Sequence, residues 1–400
     1  MLQGKQILLG VTGGIAAYKA ALLTRELMKE GAVVKVAMTE NATRFIAPLT
    51  FQTLTASAVA VDTFSAPEEW EIGHISLAEW ARLMVIAPAT ANFIGKIAGG
   101  IADDLLTTCI MAAQAPVLVC PAMNTNMYRN RIVQDNIHRL TEYGYSVMEP
   151  DAGELACGAE GPGRLPTVEG IIEEAASILT EKDLRGHCII VTAGPTREAL
   201  DPVRFISNHS SGKMGYALAL MARRRGARVI LISGPTDLAA PRGLTFIPVS
   251  TAMEMKDCVM ENLKEATIII KAAAVADYRP LFSASQKIKK QDGTLSLELV
   301  RNPDIISEIA ELKGNRIVVG FAMETENLVE NAERKLKAKG MDLIVANDLN
   351  MAGAGFRTDT NIVKIIDSAG TITALPLMDK RDVADRILSR ARELFDERRQ

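Results

Sequence analysis

The chain has 400 residues, 48% of them apolar, with 45 Lys and Arg against 48 Asp and Glu, for a formal net charge of −3. That length exceeds one ordinary core, so two domains are expected, and the balanced charge argues against a nucleic-acid or anionic-membrane surface. No apolar run approaches the roughly 18–20 residues that span a bilayer, the N-terminal stretch shows no signal-peptide cleavage pattern, and five scattered cysteines point to a reduced, cytoplasmic protein without a zinc cluster.

QILLGVTGG (6–14) reads as a buried strand ending in glycines, IAAYKAALLTRELMKEG (15–31) as a helix stopped by Gly31, and VVKVAMT (33–39) as the next strand. LMVIAPAT (83–90) and APVLVCPAM (115–123) are further strands, and TVEGIIEEAASILTEKDLRG (167–186) is a closing helix with a polar linker. The pattern then restarts. HCIIVTAGPT (187–196) is again a strand running into glycine, GYALALMARRRGA (215–227) a helix and RVILISGPT (228–236) a strand. ATIIIKAAAVADY (266–278), RIVVGFAME (316–324) and DLIVAND (342–348) follow, then an antiparallel pair NIVKIID and TITALPL, and a final helix over 379–398. The fold class is therefore α/β with two doubly wound, Rossmann-like domains, divided near residues 181–187 and taken as 1–184 and 185–400.

In VTGGIAAYKA, Gly13 and Gly14 fall between a strand and a helix N-terminus, where bare backbone meets the positive end of the helix dipole. Two readings are open there, a phosphate site or a tight structural turn, and the dinucleotide fingerprint G-x-G-x-x-G is absent. GHISLAEWA (73–81) carries His74, either an acid/base group near neutral pH or a packed histidine. PAMNTNMY (121–128) follows a strand C-terminus, the edge at which open parallel sheets bind ligands. Asn124 there offers an amide for a carboxylate; in the plainer reading Met123 and Met127 only cover the sheet edge. LACGAEGPGRL (155–165) puts Cys157 in a glycine-rich loop suited to a flap, whereas Cys109 and Cys120 read as core cysteines.

Together these four segments resemble the homo-oligomeric flavin-containing cysteine decarboxylases, and specifically phosphopantothenoylcysteine decarboxylase domains, over residues 1–180. The resemblance implies a flavodoxin-like domain binding FMN between protomers, with Gly13, Gly14, Ile15, Thr39, Phe45, Pro88, Ala89, Thr90, Asn92 and Met123 around the cofactor. It also implies His74 as the active-site histidine, Asn124 as the substrate-carboxylate ligand and Cys157 as the acid that protonates the reduced intermediate. Tyr128 stands where many members carry tryptophan, and Ser76 where an acidic residue is common; neither position does chemistry. Losing CO₂ from a cysteinyl end needs an electron sink, and no lysine Schiff base or pyruvoyl motif is evident. A flavin supplies one by taking the thiol to a thioaldehyde and returning the electrons after CO₂ leaves, and a flap cysteine suits the final protonation of carbon.

In the second half, GPTREALDPVRFISNHSSGKMG (194–215) has little periodicity over residues 194–211, and loops longer than about 12–15 residues in compact domains are usually functional. Its Gly212-Lys213 pair suggests a Walker loop, but G-x-x-x-x-G-K-[ST] fails at Ser207 and Met214. A helix N-terminal anion site at Ser210–Lys213 survives that test. KAAAVADYRP (271–280) ends a strand in small residues and Asp277, and KIKK (287–290) supplies lysines, either on a working loop or as a solvated basic tip.

This half resembles phosphopantothenate–cysteine ligase over residues 187–398, and the two halves together look like a bacterial bifunctional protein of coenzyme A biosynthesis, decarboxylase first and ligase second. The resemblance implies CTP as the activating nucleotide, an acyl-cytidylate intermediate, and Mg²⁺ carried in with CTP rather than held by a dedicated cluster. By motif position, Lys287 offsets charge at the reacting phosphorus and Asn208 holds the acyl oxygen. Arg204, Ala273, Ala274, Asp277, Lys289, Pro303, Asp304, Ile305, Phe321, Lys335 and Lys339 would contact substrate or nucleotide. The small-molecule substrates would be 4'-phosphopantothenate, L-cysteine and CTP. Homo-oligomers are implied, the decarboxylase domains as trimers or a dodecamer and the ligase domains as dimers.

Two other readings stay open at this point. A non-catalytic, flavin-binding regulatory protein predicts that reactive side chains are missing from some motifs, whereas His74, Asn124, Cys157, Asn208 and Lys287 are all present. A dehydrogenase with two Rossmann units predicts G-x-G-x-x-G, which neither opening has.

Overall fold

The computed structural model describes residues 2–63, 73–155, 158, 160–289, 295–324, 327–348 and 358–399, and Cys157 lies outside them. The chain forms two units, Met1–Thr180 and Glu181–Gln400.

In the first unit, short apolar runs form β1 (Gln6–Val11), β2 (Val33–Met38), β3 (Leu83–Ala89), β4 (Val117–Pro121) and β5 (Ser146–Val147). All pair in parallel, in the order β2-β1-β3-β4-β5. A parallel sheet covered on both faces needs apolar residues at successive positions, and β3 is buried throughout. Ile7, Leu9 and Val85 pack with the helices Tyr18–Lys29 and Val168–Leu179. Leu8, Met84 and Ile86 pack on the other face with the helices Ala91–Ala98 and Leu105–Met111. The chain winds from β1 to β2 on one side and to β3 on the other, so the C-terminal ends of β1 and β3 flank the switch point, where such sheets bind ligands. Beyond the sheet, β6 (Asp151–Glu154) and β7 (Glu160–Arg164) make an antiparallel hairpin.

The second unit contains β8 (Cys188–Ala193), β9 (Arg197–Ala199), β10 (Phe205–Ser207), β11 (Arg228–Ser233), β12 (Thr245–Pro248), β13 (Ile268–Lys271), β14 (Tyr278–Pro280), β15 (Leu299–Arg301), β16 (Ile317–Glu324), β17 (Leu343–Asp348), β18 (Thr360–Asp367) and β19 (Ile372–Asp379). Its main sheet runs β12-β11-β8-β13-β16-β17-β18-β19, parallel as far as β17 and antiparallel over β18 and β19. The switch point here lies between β8 and β13. The expectation of an aperiodic loop over 194–211 needs correction, because β9 and β10 pair as a short hairpin inside it. Three-residue strands are too short to show a period of two, so the sequence pattern does not reveal them. A second small pair, β14–β15, follows the strand expected to run to residue 278; that strand ends at Lys271.

Candidate functional site

At the first switch point a cavity of about 830 Å³ opens, within the range of small-molecule sites. Its walls include Gly13, Gly14 and Ile15 after β1, Thr39 after β2, Thr90 and Asn92 after β3, and Met123 and Asn124 after β4. Each loop leaves the C-terminal end of a parallel strand, so residues more than a hundred positions apart meet there. Thr12 stitches two of these loops: its hydroxyl donates to the Pro88 carbonyl at 2.7 Å and accepts from the Thr90 amide at 3.1 Å. Gly13 fits because a Cβ there would lie 2.4 Å from the Asn41 Cβ and 2.9 Å from the Asn41 carbonyl carbon. Past Gly14 the chain makes a turn of 3-10 helix before Tyr18–Lys29, and no side chain caps that turn. Amides at such a start are satisfied by a ligand or by water.

Three predicted wall residues hold structural bonds at the same time. Thr39 and Thr90 cap helices by accepting from the Ala42 and Phe93 amides. Asn124 opens the helix Thr125–Arg129, its Oδ1 accepting from the Asn126 amide at 2.8 Å. Pro88 and Ala89 are buried at the C-terminal end of β3, and Phe45 is half-exposed. None of these three lines the cavity of a single chain, nor does His74, which lies in the first turn of the helix Gly73–Trp80. The sequence reading missed Lys96, Asp103 and Arg164, which do line it. Lys96 Nζ lies 2.8 Å from Asp103 Oδ1 and 3.5 Å from Asp104 Oδ2. The Asp103 hydrogen bond outweighs burial and raises the Lys96 pKa, while the same bond lowers that of Asp103. A lone lysine in the apolar helix ANFIGKIA, followed by Asp-Asp, was the only signal in the sequence.

At the second switch point, the loop after β8 meets the loop after β13. The Asn208 amide Nδ2 donates to the Ala274 carbonyl at 3.0 Å. The Ala276 amide donates to the Thr196 hydroxyl at 3.0 Å. Gly212 adopts the left-handed conformation, φ +77°, at the start of the helix Lys213–Arg224, and a Cβ there would meet Thr236 Cγ2 at 2.7 Å. Glycine is the residue that takes this backbone at little cost.

The lysine loop is clasped from beneath. Asp201, buried, accepts the Val203 and Arg204 amides on one oxygen, at 2.8 and 2.9 Å, and the Ile288 amide on the other, at 3.1 Å. Arg204 Nε pairs with Asp201 at 3.2 Å, and its guanidinium donates to the Ile288 carbonyl. Both polar backbone groups of Ile288 are thus held, and Lys287 and Lys289 on either side are exposed. Arg204, expected to contact substrate or nucleotide, is engaged in this clasp.

Asp304 caps the helix Ile305–Glu311 and pairs with Lys339 Nζ at 2.9 Å. Burial works to raise the Asp304 pKa, but the Lys339 hydrogen bond and charge outweigh it and hold the carboxyl below its ordinary value. Phe321 is separated from this group. It packs with the core of the helices Lys213–Arg224 and Lys380–Arg399, whereas Ile305, Ile306 and Leu336 belong to the core on the opposite face. Among the described residues there is no cluster of three or more acidic, His or Cys side chains that could hold a metal, and no helix is long and apolar enough to cross a membrane.

Residues 1–180 match the family described as Flavoprotein, and residues 184–394 the DNA/pantothenate metabolism flavoprotein C-terminal domain. The coenzyme A biosynthesis bifunctional protein CoaBC of Bacillus subtilis (strain 168) is 52% identical, over 97% of each chain. Its Vibrio cholerae counterpart is 47% identical, over 97% of this chain and 98% of its own. A solved C-terminal domain of a protein of the same name is 40% identical and covers 54% of this chain and 100% of its own, with a TM-score of 0.47.

Proposed function

The chain belongs to the family of coenzyme A biosynthesis bifunctional proteins, and on that premise we propose which residues carry its two reactions. It is a bifunctional enzyme of coenzyme A biosynthesis, a flavoprotein decarboxylase joined to a ligase. The non-catalytic alternative is disfavoured by a relationship to bifunctional proteins that spans both halves.

In the first unit the flavin is FMN, seated in the cavity at the β1/β3 switch point. The fit is supported by the volume, by the uncapped helix start after Gly14, and by Gly13, whose missing Cβ lets the turn approach Asn41. A bound flavin supplies two-electron oxidation and reduction of the cysteinyl thiol. Asn124, whose Oδ1 caps the helix Thr125–Arg129, is the ligand of the substrate carboxylate and orients the group that leaves as CO₂. Cys157, on the segment between β6 and β7, donates the proton that ends the reaction. His74 reaches a cavity from a neighbouring copy. Ile15 in the 3-10 turn and Tyr18 and Leu22 on the helix that follows are 61%, 55% and 55% exposed, and Ile15 and Tyr18 also line the cavity. An apolar row beside a half-open site supports assembly of copies around it.

In the second unit the substrate carboxylate attacks the α-phosphorus of CTP, pyrophosphate leaves, and the amine of cysteine displaces CMP from the acyl-cytidylate. Lys287, presented by the Asp201 clasp, offsets the charge that builds on phosphorus. Asn208, held against Ala274, takes the acyl oxygen. Mg²⁺ enters with the nucleotide. The observation that supports both assignments is the convergence of candidate side chains at the switch point of each unit. Coupled turnover tests it: phosphopantothenate, cysteine and CTP in, CO₂ and phosphopantetheine out. CO₂ release without dependence on flavin, or amide formation without CTP, would overturn the reading.

A further inference from the structure

We propose that Lys271 is a nucleotide-phosphate ligand of the ligase unit, an ammonium with no partner among the described residues, which a phosphate oxygen of CTP can take. The inference rests on the CTP reading above.

Strand geometry sets the direction of the side chain. Ile268 and Ile270 belong to the core of the helices Lys213–Arg224 and Lys380–Arg399, and Ile269 to the core on the other face. A period of two puts Lys271 with Ile269, on the face covered by the helices Ile305–Glu311 and Leu328–Ala338. It is the last residue of β13, one of the two strands flanking the switch point, and its register neighbours are Thr192 and Gly320. The charges that act on it come from Lys335 and Lys339 on or beside the second of those helices, Asp304 at the start of the first, and Asp277 in the loop after β13.

These five groups are unequally satisfied. Asp304 is taken by Lys339 at 2.9 Å. The Lys271 ammonium makes no hydrogen bond or ion pair with any described residue, although the residue is half-buried. A partly buried cation beside two other lysines is unfavourable unless something anionic joins it. Burial, followed by the charge of Lys339, lowers its pKa to about 8, and Lys335 adds to this while Asp304 and Asp277 work against it. A phosphate reverses the balance, because it neutralises the lysine cluster and gives the ammonium an acceptor.

The test is CTP titration of the full-length enzyme by calorimetry at about pH 8, in buffers of different ionisation enthalpy. The wild type should take up protons as it binds, because the ligand pulls a half-neutral lysine to its charged form. Lys271→Met should lose that uptake and bind CTP about tenfold more weakly, the effect of one charge-assisted contact. Lys271→Arg should recover affinity without proton uptake, since arginine is always charged. Wild-type binding without proton uptake would overturn the proposal and requires no variant. So would equal CTP affinity in Lys271→Met, or a loss confined to the KM for phosphopantothenate. Pyrophosphate is the second probe: a Lys271→Met defect for CTP that pyrophosphate binding does not share would also overturn it. If the wild type bound no CTP at all, the nucleotide reading itself would fall, an outcome distinct from the others.

Discussion

Gly13→Ala perturbs the first cavity most directly. The added methyl would lie 2.4 Å from Asn41 Cβ and 2.9 Å from the Asn41 carbonyl carbon, where carbon atoms normally rest about 3.5–4.0 Å apart. One wall must therefore move by roughly 1 Å. On one side is the turn after β1, anchored by the Thr12 bonds to Pro88 and Thr90. On the other is the short helix Glu40–Thr43, capped by Thr39. Neither contact is the tip of a flexible side chain, so the strain is not relieved by a rotamer change. Overpacking of this kind costs about 1–3 kcal/mol. The free protein relieves it by shifting a cavity wall, and flavin binding must then restore the wall. The cost passes to the cofactor as a loss of about 5- to 150-fold in affinity, at about 1.4 kcal/mol per tenfold. Fluorescence titration of flavin-free protein with FMN measures this, with ligase activity as an internal control on the other unit. A folded Gly13→Ala protein that binds FMN as tightly as the wild type would refute the reasoning.

Other perturbations separate the two activities. Asp201→Asn keeps one acceptor but puts an amide donor against backbone N–H groups, so the lysine loop loosens; pyrophosphate release should fall about tenfold, the scale of one lost charge-assisted hydrogen bond, with CO₂ release from supplied phosphopantothenoylcysteine unchanged. Equal loss of both rates would show unfolding instead. Cys157→Ser should stall decarboxylation at an oxidised, decarboxylated intermediate that mass spectrometry can trap; full yield of phosphopantetheine would remove the acid role. Acid sensitivity follows from Asp367, which accepts the Thr371 amide and the Arg390 guanidinium, each at 2.9 Å. Burial pushes its pKa up, but the Thr371 and Arg390 bonds outweigh this and leave it below the ordinary 3.8. A depressed carboxyl contributes stability above its unfolded pKa and loses it as pH falls through the folded one. Arg390→Met brings the folded pKa back up and moves the acid unfolding midpoint of this unit to higher pH; thermal melts across the acid range with an unshifted midpoint would contradict it.

What the sequence by itself determined is what local chemistry encodes. Apolar runs such as QILLGV and CIIVTA are long enough for strands, and the glycines after the first mark where backbone turns into a helix, whereas Gly194 after the second leads into the β9–β10 hairpin. The gathering of Gly13, Thr90 and Asn124 at one edge follows from alternating strand and helix, because that pattern brings the C-terminal strand ends together. Tertiary structure alone decided the rest. Asp201 grips Ile288 across 87 residues, a contact that leaves no periodic trace in either segment. Lys96 and Asp103 face the cavity because of how one helix and its following loop pack. Phe321 and Asp304 both follow the expected motifs yet fall on opposite sides of the sheet. Strand periodicity settles which side chains share a face. Which helices cover that face, and hence whether Lys271 has a partner, depends on packing between segments far apart in the chain.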